Sequence, residues 1–303
     1  MFFNEEGGVV RLMFVIAVCI AAWSGRSWAQ DGGISPMRFI YYDGQVERTP
    51  IRRFHWRLLE AALRRTVATY GGYELRALPP APVSRQRYEL SQSHAAITVA
   101  AFNGTADRTP GLIPVRIPVE FGLQSYRVLL IREGDQERFD RIASLDDLKA
   151  VRFGLLPAWS DSRVMRSNGM SLVEGQSFEG LYHMLAAKRF DAFSRGVAEV
   201  MDDFRHGGML VSGLAVERHL LLHYPLPIYF WFADDAEGRR RAERVRAGLA
   251  AMVADGSLAA MVLDRYRTDL SGLDLAGRRV IELSNPLLDG QDPLDDGRLW
   301  FHP

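Results

Sequence analysis

Two long β-rich runs divide the chain, and they constrain its fold more than any other feature. The first run, residues 109–135, carries three prolines within nine residues, at Pro110, Pro114 and Pro118. The second run, residues 214–234, reads LAVERHLLLHYPLPIYFWFAD. Runs of this kind between series of alternating strands and helices are typical of segments that cross between two lobes. We therefore expect two lobes joined by two crossing strands.

The segment before the first run alternates between strand-like and helix-like patterns. A long helix with apolar residues on one face ends at two consecutive glycines, and a short polar helix follows the next strand. The five elements are residues 37–44, 52–72, 73–78, 84–93 and 95–102. This βαβαβ order is the signature of a mainly parallel sheet flanked by helices.

A second α/β series follows the first run, and it opens with Ser144 and Asp147 at capping-box spacing. Its strand and helix patterns end with a strand at residues 191–194, and two further helices come after the second run. The expected boundaries are residues 34–122 and 224–303 for the first lobe and 123–223 for the second. Two such lobes form a clamshell whose cleft suits ligand capture by hinge closure.

Charge and composition exclude several classes of protein. Lys plus Arg and Asp plus Glu each total 37, so no net basic field attracts nucleic acid or anionic lipid. The seven histidines are scattered without the paired spacing of a metal site. We therefore expect no nucleic-acid partner, no metal and no cofactor.

The N-terminus has the pattern of a cleaved secretory signal, residues 1–29. An apolar run, Leu12–Trp23, precedes Ser27 and Ala29, the small residues of a cleavage site. The run is short for the roughly 30 Å of membrane hydrocarbon, although a retained single-span anchor is the alternative. Cleavage would remove Cys19, the only cysteine, and would leave no disulfide, catalytic thiolate or cysteine-ligated zinc. No later segment is long and apolar enough to span a membrane.

Three motifs in a fixed order make the chain resemble the type 2 periplasmic solute-binding proteins. They are RGVAEV from Arg195, YPLPIYF from Tyr224 and NPLLDGQDPLDDGRLW from Asn285. The resemblance covers the whole mature chain and is closest to a divergent branch of family 3, the group that includes amino-acid-binding receptors of ABC transporters. It implies a two-lobed α/β clamshell without a catalytic step, which binds a small solute and delivers it to a membrane permease or sensor.

The resemblance also implies ligand residues in the loop after the third strand. In amino-acid-binding members a T-x-x-R element supplies an arginine to the ligand carboxylate, and Thr105 and Arg108 have that spacing. A guanidinium is a planar fork that holds a carboxylate with two parallel hydrogen bonds. We predict Arg108 as the first-lobe clamp, with neutral hydrogen bonds from Asn103 and Thr105; a surface arginine is the alternative.

The strand–helix junction at Trp159, Ser160 and Asp161 is a second candidate. Free N–H groups and the positive end of the helix that starts here would point into the cleft. Ser160 would both cap this helix and bind the ligand. A simple capping cluster is the alternative, and Trp159 is either a stacking wall or core. Because side chains alternate along a strand, at most one of Tyr41 and Tyr42 faces the cleft. We choose Tyr42.

Arg195 stands where amino-acid-binding members carry an aspartate that takes the ligand ammonium group. The replacement argues against a plain zwitterionic amino acid as ligand. Three interpretations stay open: Arg195 binds an anionic group of the ligand, pairs with Asp191 or Glu199, or is solvated. A buried guanidinium requires a partner, and Glu199 lies four residues on, within reach along a helix.

These patterns predict a periplasmic, monomeric solute-binding protein without enzymatic activity. The predicted ligand is a small polar or anionic solute, amino-acid-like or a carboxylate, captured for an ABC transporter. One alternative is an accessory protein that reports a ligand to a membrane signalling partner. Another is a dehydratase-like enzyme on the same fold, which would use Glu120, Asp161 or Glu199 as its acid or base.

Overall fold

The computed structural model describes residues 35–43, 49–92, 94–103, 110–288 and 290–303, with the backbone alone for 49–53. The predicted signal, residues 1–29, lies outside the described residues. Within the described ranges, no single helix has the length and hydropathy to cross a membrane; one pair of consecutive helices, Ala236–Ala254 and Ser257–Ser271, meets the test together but is bent by 78°.

Strands and helices alternate along most of the chain. The first half contains β1 (Met37–Tyr42), α1 (Thr49–Arg65), α2 (Val67–Tyr70), β2 (Tyr73–Leu78), α3 (Val83–Leu90), β3 (Ala100–Asn103), β4 (Leu112–Val115), β5 (Tyr126–Arg132), α4 (Gln136–Asp140), α5 (Leu145–Leu148) and β6 (Arg152–Leu155). The second half contains α6 (Ser160–Ser167), β7 (Ser171–Glu174), α7 (Phe178–Ala186), β8 (Phe193–Gly196), α8 (Val200–Leu210), β9 (Leu214–Val216), β10 (Leu220–His223), β11 (Ile228–Ala233), α9 (Ala236–Ala254), α10 (Ser257–Ser271) and β12 (Arg279–Glu282).

The first lobe is built on strands β2, β1, β3, β11 and β4, in that order. β1 and β2 are parallel, and β11 runs antiparallel to both β3 and β4. The N–H groups of Thr98 and Val99, just before β3, donate to the carbonyl oxygen of Ile40 and so join β3 to β1. Helices α1 and α9 pack on one face of these strands, and α3 packs on the other.

The second lobe is built on strands β7, β6, β8, β5 and β10, with β12 beside β10 and β9 beside β5. The N–H of Gly154 donates to the carbonyl oxygen of Ala192 at 3.0 Å and joins β6 to β8. Ser144 and Asp147 form the predicted capping box at the start of α5. Both sheets are mixed rather than mainly parallel, because β5 and β11 lie antiparallel to every strand that they pair with.

The two β-rich runs cross between the lobes as expected. The first run leaves the first sheet after β4 and enters the second sheet as β5, and the second run returns from β10 to β11. A further connection was not expected. β12 pairs parallel with β10, so residues 279–282 extend the second sheet, whereas the expected boundaries gave residues 224–303 to the first lobe.

Helices α1 and α9 approach each other closely at Gly248. A Cβ atom at this position would overlap the carbonyl oxygen of Ala62. That oxygen is part of the helical backbone and cannot swing away as a long side chain can. Glycine at residue 248 therefore sets the spacing of the two helices that cover the first sheet.

We expect Gly248→Ala to lower the free energy of unfolding by about 1–3 kcal/mol, the usual cost of overpacking a core. The measurement is urea denaturation followed by circular dichroism. Gly208→Ala in α8 is the matched control, because beyond the neighbouring backbone of its own helix no described atom lies within 4 Å of the point that a Cβ atom would occupy there; alanine at that position should raise stability by about 0.5–1 kcal/mol. Equal effects of the two substitutions would contradict this account.

Candidate functional site

One residue from each lobe meets where β3 ends and α6 begins. The Ser160 hydroxyl donates a hydrogen bond to Oδ1 of Asn103 at 3.3 Å, and both residues are half-buried. The carbonyl oxygen of Asn103 accepts a second bond from Nη2 of Arg87 at 2.6 Å. Polar groups of the two lobes therefore face each other at the carboxyl ends of strands, the usual position of ligands in α/β proteins.

Ser160 lies inside α6 rather than capping it. Trp159 occupies the N-cap position and makes no side-chain cap. The Ser162 hydroxyl, one residue further along than Asp161, donates to the carbonyl oxygen of Leu156 at 2.8 Å. The predicted capping role of Ser160 is therefore wrong, and its hydroxyl faces the first lobe instead.

Asp161 is held by two residues of the crossing strands. Nε of Arg127 lies 2.8 Å from the Asp161 carboxylate, and the Tyr224 hydroxyl donates to the same oxygen at 2.6 Å. Nε of Arg127 also donates to the Tyr224 oxygen at 3.0 Å. Burial, followed by the Asp161 carboxylate, raises the pKa of Tyr224, so the hydroxyl keeps its proton. Asp161, Arg127 and Tyr224, which we call the Asp161 triad, fix the first turn of α6 to both crossings.

Arg195 is buried in an aromatic cage. Its guanidinium carbon lies 4.9 Å from the ring centre of Trp159, 5.3 Å from that of Phe178 and 5.1 Å from that of Phe193. Trp159 and Phe193 are stacked with ring centres 6.1 Å apart. Trp159 thus serves as a wall of the cage, and a ligand contact by its ring stays a prediction.

Two carboxylates neutralise Arg195. Its Nη2 donates to Glu199 at 2.7 Å and its Nε donates to Asp203 at 2.6 Å. The predicted alternative of a pair with Glu199 is therefore confirmed, and the alternative of a solvated arginine is wrong. Asp191, the other proposed partner, instead accepts hydrogen bonds from Arg152 and Arg138. A direct contact of Arg195 with an anionic ligand stays a prediction.

Gly196 lets the first crossing pack directly against the end of β8. A Cβ atom at Gly196 would lie 2.6 Å from Nη1 of Arg127 and 2.8 Å from Oε1 of Gln124. Those two atoms are hydrogen-bonded at 2.9 Å, and Nε2 of Gln124 donates to Glu199 at 3.3 Å. The RG pair at residues 195 and 196 therefore connects the Arg195 cage to the Asp161 triad.

A second buried acidic group lies in the first crossing. Oε1 of Glu120 lies 2.6 Å from Nε2 of His55 and accepts from the Tyr266 hydroxyl at 3.3 Å. Although burial opposes ionisation, His55 holds the pKa of Glu120 below its ordinary value. In the part of the chain that the structure describes, Oε2 of Glu120 and Nδ1 of His55 are buried without a partner. The cluster joins α1 and α10 to the crossing.

The remaining predicted site residues divide into two groups. Tyr42 lies on the face of β1 that α3 covers, and its hydroxyl donates to Glu89 at 2.5 Å. Tyr41 lies on the opposite face of β1 and stacks on Trp56. A ligand contact by Tyr42 stays a prediction. Thr105 and Arg108 lie outside the described residues. The structure thus brings together Asn103 with Ser160, and Trp159 with Arg195.

Sequence reasoning missed Gln124, Arg127, Asp203 and the part played by Tyr224. Arg127 had a readable signal, since it is a charged residue inside the apolar strand YRVLLIR and so requires a buried partner. Asp203 lies eight residues after Arg195, and no simple helical spacing pairs those positions. Within the described residues, no group of three His, Cys, Asp or Glu is arranged to hold a metal ion.

No protein-family model and no curated protein matches the chain. Solved structures do match it. An ancestral arginine-binding protein bound to arginine is 16% identical, with a TM-score of 0.52 over 77% of this chain and 97% of its own. An amino acid ABC transporter substrate-binding protein from Streptococcus pneumoniae bound to L-arginine is 13% identical, with a TM-score of 0.53 over 76% and 94%. A probable amino-acid ABC transporter extracellular-binding protein from Bacillus subtilis is 13% identical, with a TM-score of 0.55 over 76% and 97%.

These matches establish the fold. The chain has the two-lobed α/β fold of the type 2 periplasmic solute-binding proteins. The resemblance read from the motifs is confirmed at that level. The motifs also have structural roles, because RGVAEV carries the Arg195 cage and YPLPIYF carries Tyr224 and the return crossing.

We expect Arg195→Met to lower the free energy of unfolding by about 3–5 kcal/mol, because it leaves Glu199 and Asp203 without their buried counter-ion. Chemical denaturation measures the loss. Arg205→Met in α8 is the matched control: Arg205 pairs with Asp202 and, at 3.5 Å, with Asp269, but its side chain is exposed, and exposed pairs contribute about 0–1 kcal/mol. A loss as small as that of the control would contradict the buried ion-pair account.

Asp191 gives a pH-dependent prediction. Although burial opposes ionisation, Arg152 and Arg138 hold the pKa of Asp191 below its ordinary value. The stabilisation is therefore complete above the unfolded-state pKa of about 3.9 and declines as the pH falls below it. We expect Asp191→Asn to be less stable than the wild type at pH 7, with a difference that shrinks steadily between about pH 4 and pH 2.

Thermal unfolding across this pH range checks the Asp191 prediction. Asp146→Asn is the control, because Asp146 is an exposed carboxylate paired only with Lys149 among the described residues. Its stability difference should be small at every pH. A constant gap between Asp191→Asn and the wild type down to pH 2 would argue against the ion pairs.

Proposed function

We propose that the protein is a non-enzymatic solute-binding protein that captures a small polar solute between its two lobes. The contact of Ser160 with Asn103 carries the proposal, because it places hydrogen-bonding groups of both lobes at one point between the sheets. A hydroxyl donates and accepts hydrogen bonds, and an amide offers both kinds of group. A polar solute that enters between these residues would exchange their mutual bond for bonds to itself.

The solute proposed is one that carries a carboxylate, with Arg108 as its clamp and Thr105 and Asn103 beside it. The charges around Arg195 support Arg108 as the only arginine clamp, rather than Arg108 and Arg195 together. Glu199 and Asp203 already neutralise Arg195, so this arginine supports the floor of the cleft. Ser160 is the proposed second-lobe contact.

The carboxylates near the cleft support binding rather than acid–base catalysis. A general acid or base must reach the substrate and have a pKa suited to proton transfer. Glu120 is buried against His55, Asp161 is held by Arg127 and Tyr224, and Glu199 is paired with Arg195. We therefore propose that the protein is not an enzyme.

A periplasmic location and a permease of an ABC transporter as partner are further parts of the proposal. The N-terminal apolar run followed by small residues supports export, and we propose that the exported chain is a monomer. We propose lobes of residues 34–122 with 224–303 and of residues 123–223, modified only in that residues 279–282 add a strand to the second lobe.

A thermal-shift screen of dicarboxylates, amino acids, polyamines and sugars tests the proposal. We expect stabilisation by compounds that carry a carboxylate, and Arg108→Met should weaken the best of them about tenfold or more, because hydrogen bonds to charged groups contribute about 1.5–3 kcal/mol. Arg240→Met, on the exposed face of α9, is the control and should leave affinity unchanged.

Small-angle X-ray scattering completes this test, with and without a saturating concentration of the compound that stabilises the protein most in the screen. Hinge closure around the solute should reduce the radius of gyration. Stabilisation by polyamines alone would remove the carboxylate clamp from the proposal, and identical scattering profiles with and without that compound would remove capture by closure.

A further inference from the structure

The segment from Ser284 to Phe301, which we call the strap, follows β12 and lies along both crossings. The structure describes all of it except residue 289. The strap contains the whole motif NPLLDGQDPLDDGRLW, residues 285–300, which has no role in the proposed solute site. Its contacts involve both lobes.

The beginning of the strap is fixed to the second lobe and to the return crossing. Nδ2 of Asn168, at the end of α6, donates to the Ser284 carbonyl oxygen at 2.7 Å, and the Ser284 N–H donates to Oδ1 of Asn168 at 3.0 Å. Nδ2 of Asn285 then donates to the carbonyl oxygen of Pro225 at 2.6 Å. Pro225 lies between β10 and β11, so the strap begins on the second crossing.

The middle of the strap is fixed to the first lobe. Oδ1 of Asp292 accepts a hydrogen bond from the hydroxyl of Tyr229 in β11 at 2.7 Å. Nη1 of Arg116, just after β4, lies 3.3 Å from the same oxygen. The Asp292 side chain is almost fully buried. The strap thus runs from one lobe to the other.

The end of the strap covers the first crossing. The N–H of Phe301 donates to the Phe121 carbonyl oxygen at 2.8 Å, and the Tyr126 hydroxyl donates to the Phe301 carbonyl oxygen at 3.0 Å. The Trp300 ring lies against Gly122, where a Cβ atom would be 2.5 Å from its Cε3. The strap therefore packs on the backbone of this crossing.

Phe121 and Gly122 lie at a turn of the first crossing, just before β5, with unusual backbone conformations. Their φ angles are 52° and 69°, in the left-handed region that non-glycine residues seldom adopt. Hinges are a few residues that absorb large changes of φ and ψ. The contacts of Phe301 and Trp300 fall on these two residues, and rotation about their backbone would break them.

We propose that the strap is a conformational latch that stabilises the present arrangement of the two lobes over a more open one. It ties both lobes and both crossings, and its contacts depend on their relative positions. The affinity for a solute depends on the free energy gap between open and closed states. That consequence rests on the proposed function, whereas the latch itself does not.

Distance measurements between two spin labels test the latch without any solute. Labels attach to Arg240→Cys on α9 and Glu179→Cys on α7, both exposed, in a full chain with Cys19→Ser. We expect Trp300→Ala to enlarge the population with longer distances about tenfold. Tyr126→Phe, which removes only the hydroxyl that holds Phe301, should shift the distribution in the same direction by less.

Arg298→Ala is the matched control, since Arg298 is an exposed strap residue that pairs with Asp296; its distances should equal those of the wild type. Circular dichroism checks that each variant is folded. If Trp300→Ala does not fold, the distance distribution of Tyr126→Phe decides the test. Distance distributions of Trp300→Ala and Tyr126→Phe that superimpose on the wild type, or that shift to shorter distances, would overturn the latch. Wider opening in the strap variants without compaction by any solute would uphold the latch and remove the proposed function.

Discussion

A guanidinium buried among aromatic rings is tolerated only with a counter-charge and with its hydrogen bonds satisfied. At Arg195 this requirement determines the positions of the neighbouring groups of the second lobe. Its two carboxylates come from the first turns of one helix, Glu199 at the N-cap position of α8 and Asp203 within it. Acidic residues there also interact favourably with the positive end of the helix. The ion pairs therefore fix the direction in which α8 leaves β8.

The same requirement explains how the crossings are attached to the second lobe. Because residue 196 is glycine, Gln124 and Arg127 approach the end of β8 closely enough to join Glu199 to the Asp161 triad. A chain of charge-assisted hydrogen bonds thus runs from α8 through the first crossing to α6. Ser160, which faces the first lobe, lies at the far end of that chain. The position of a proposed ligand group is in this way set by residues that do not face the ligand.

The sequence predicted the architecture well because its signals are local or periodic. Proline-containing β-rich runs, the capping box at Ser144 and the apolar faces of helices each depend on neighbouring residues. The pair of Arg195 with Glu199 was also within reach, since four residues along a helix bring two side chains together.

Long-range contacts were not predictable in the same way. β12 pairs with β10 across about sixty residues of sequence, and its short strand RVIE carries no mark of its partner. Tyr42 and Tyr41 alternate along β1 as expected, but only the positions of α1 and α3 decide which face each tyrosine meets. The pairing of Arg127 with Asp161 likewise required the two crossings to be in place.

The charged groups around Arg127 and Arg195 bear on which solutes the proposed site could hold. Arg127 and Arg195 are together faced by Asp161, Glu199 and Asp203, so carboxylates outnumber guanidinium groups there. An anionic solute would gain no net attraction from these groups and would depend on the proposed Arg108 clamp. A cationic group would meet no repulsion from these groups. Under the proposed function, the first lobe would therefore have to supply the charge that selects the solute, while Ser160 of the second lobe would supply a neutral hydrogen bond.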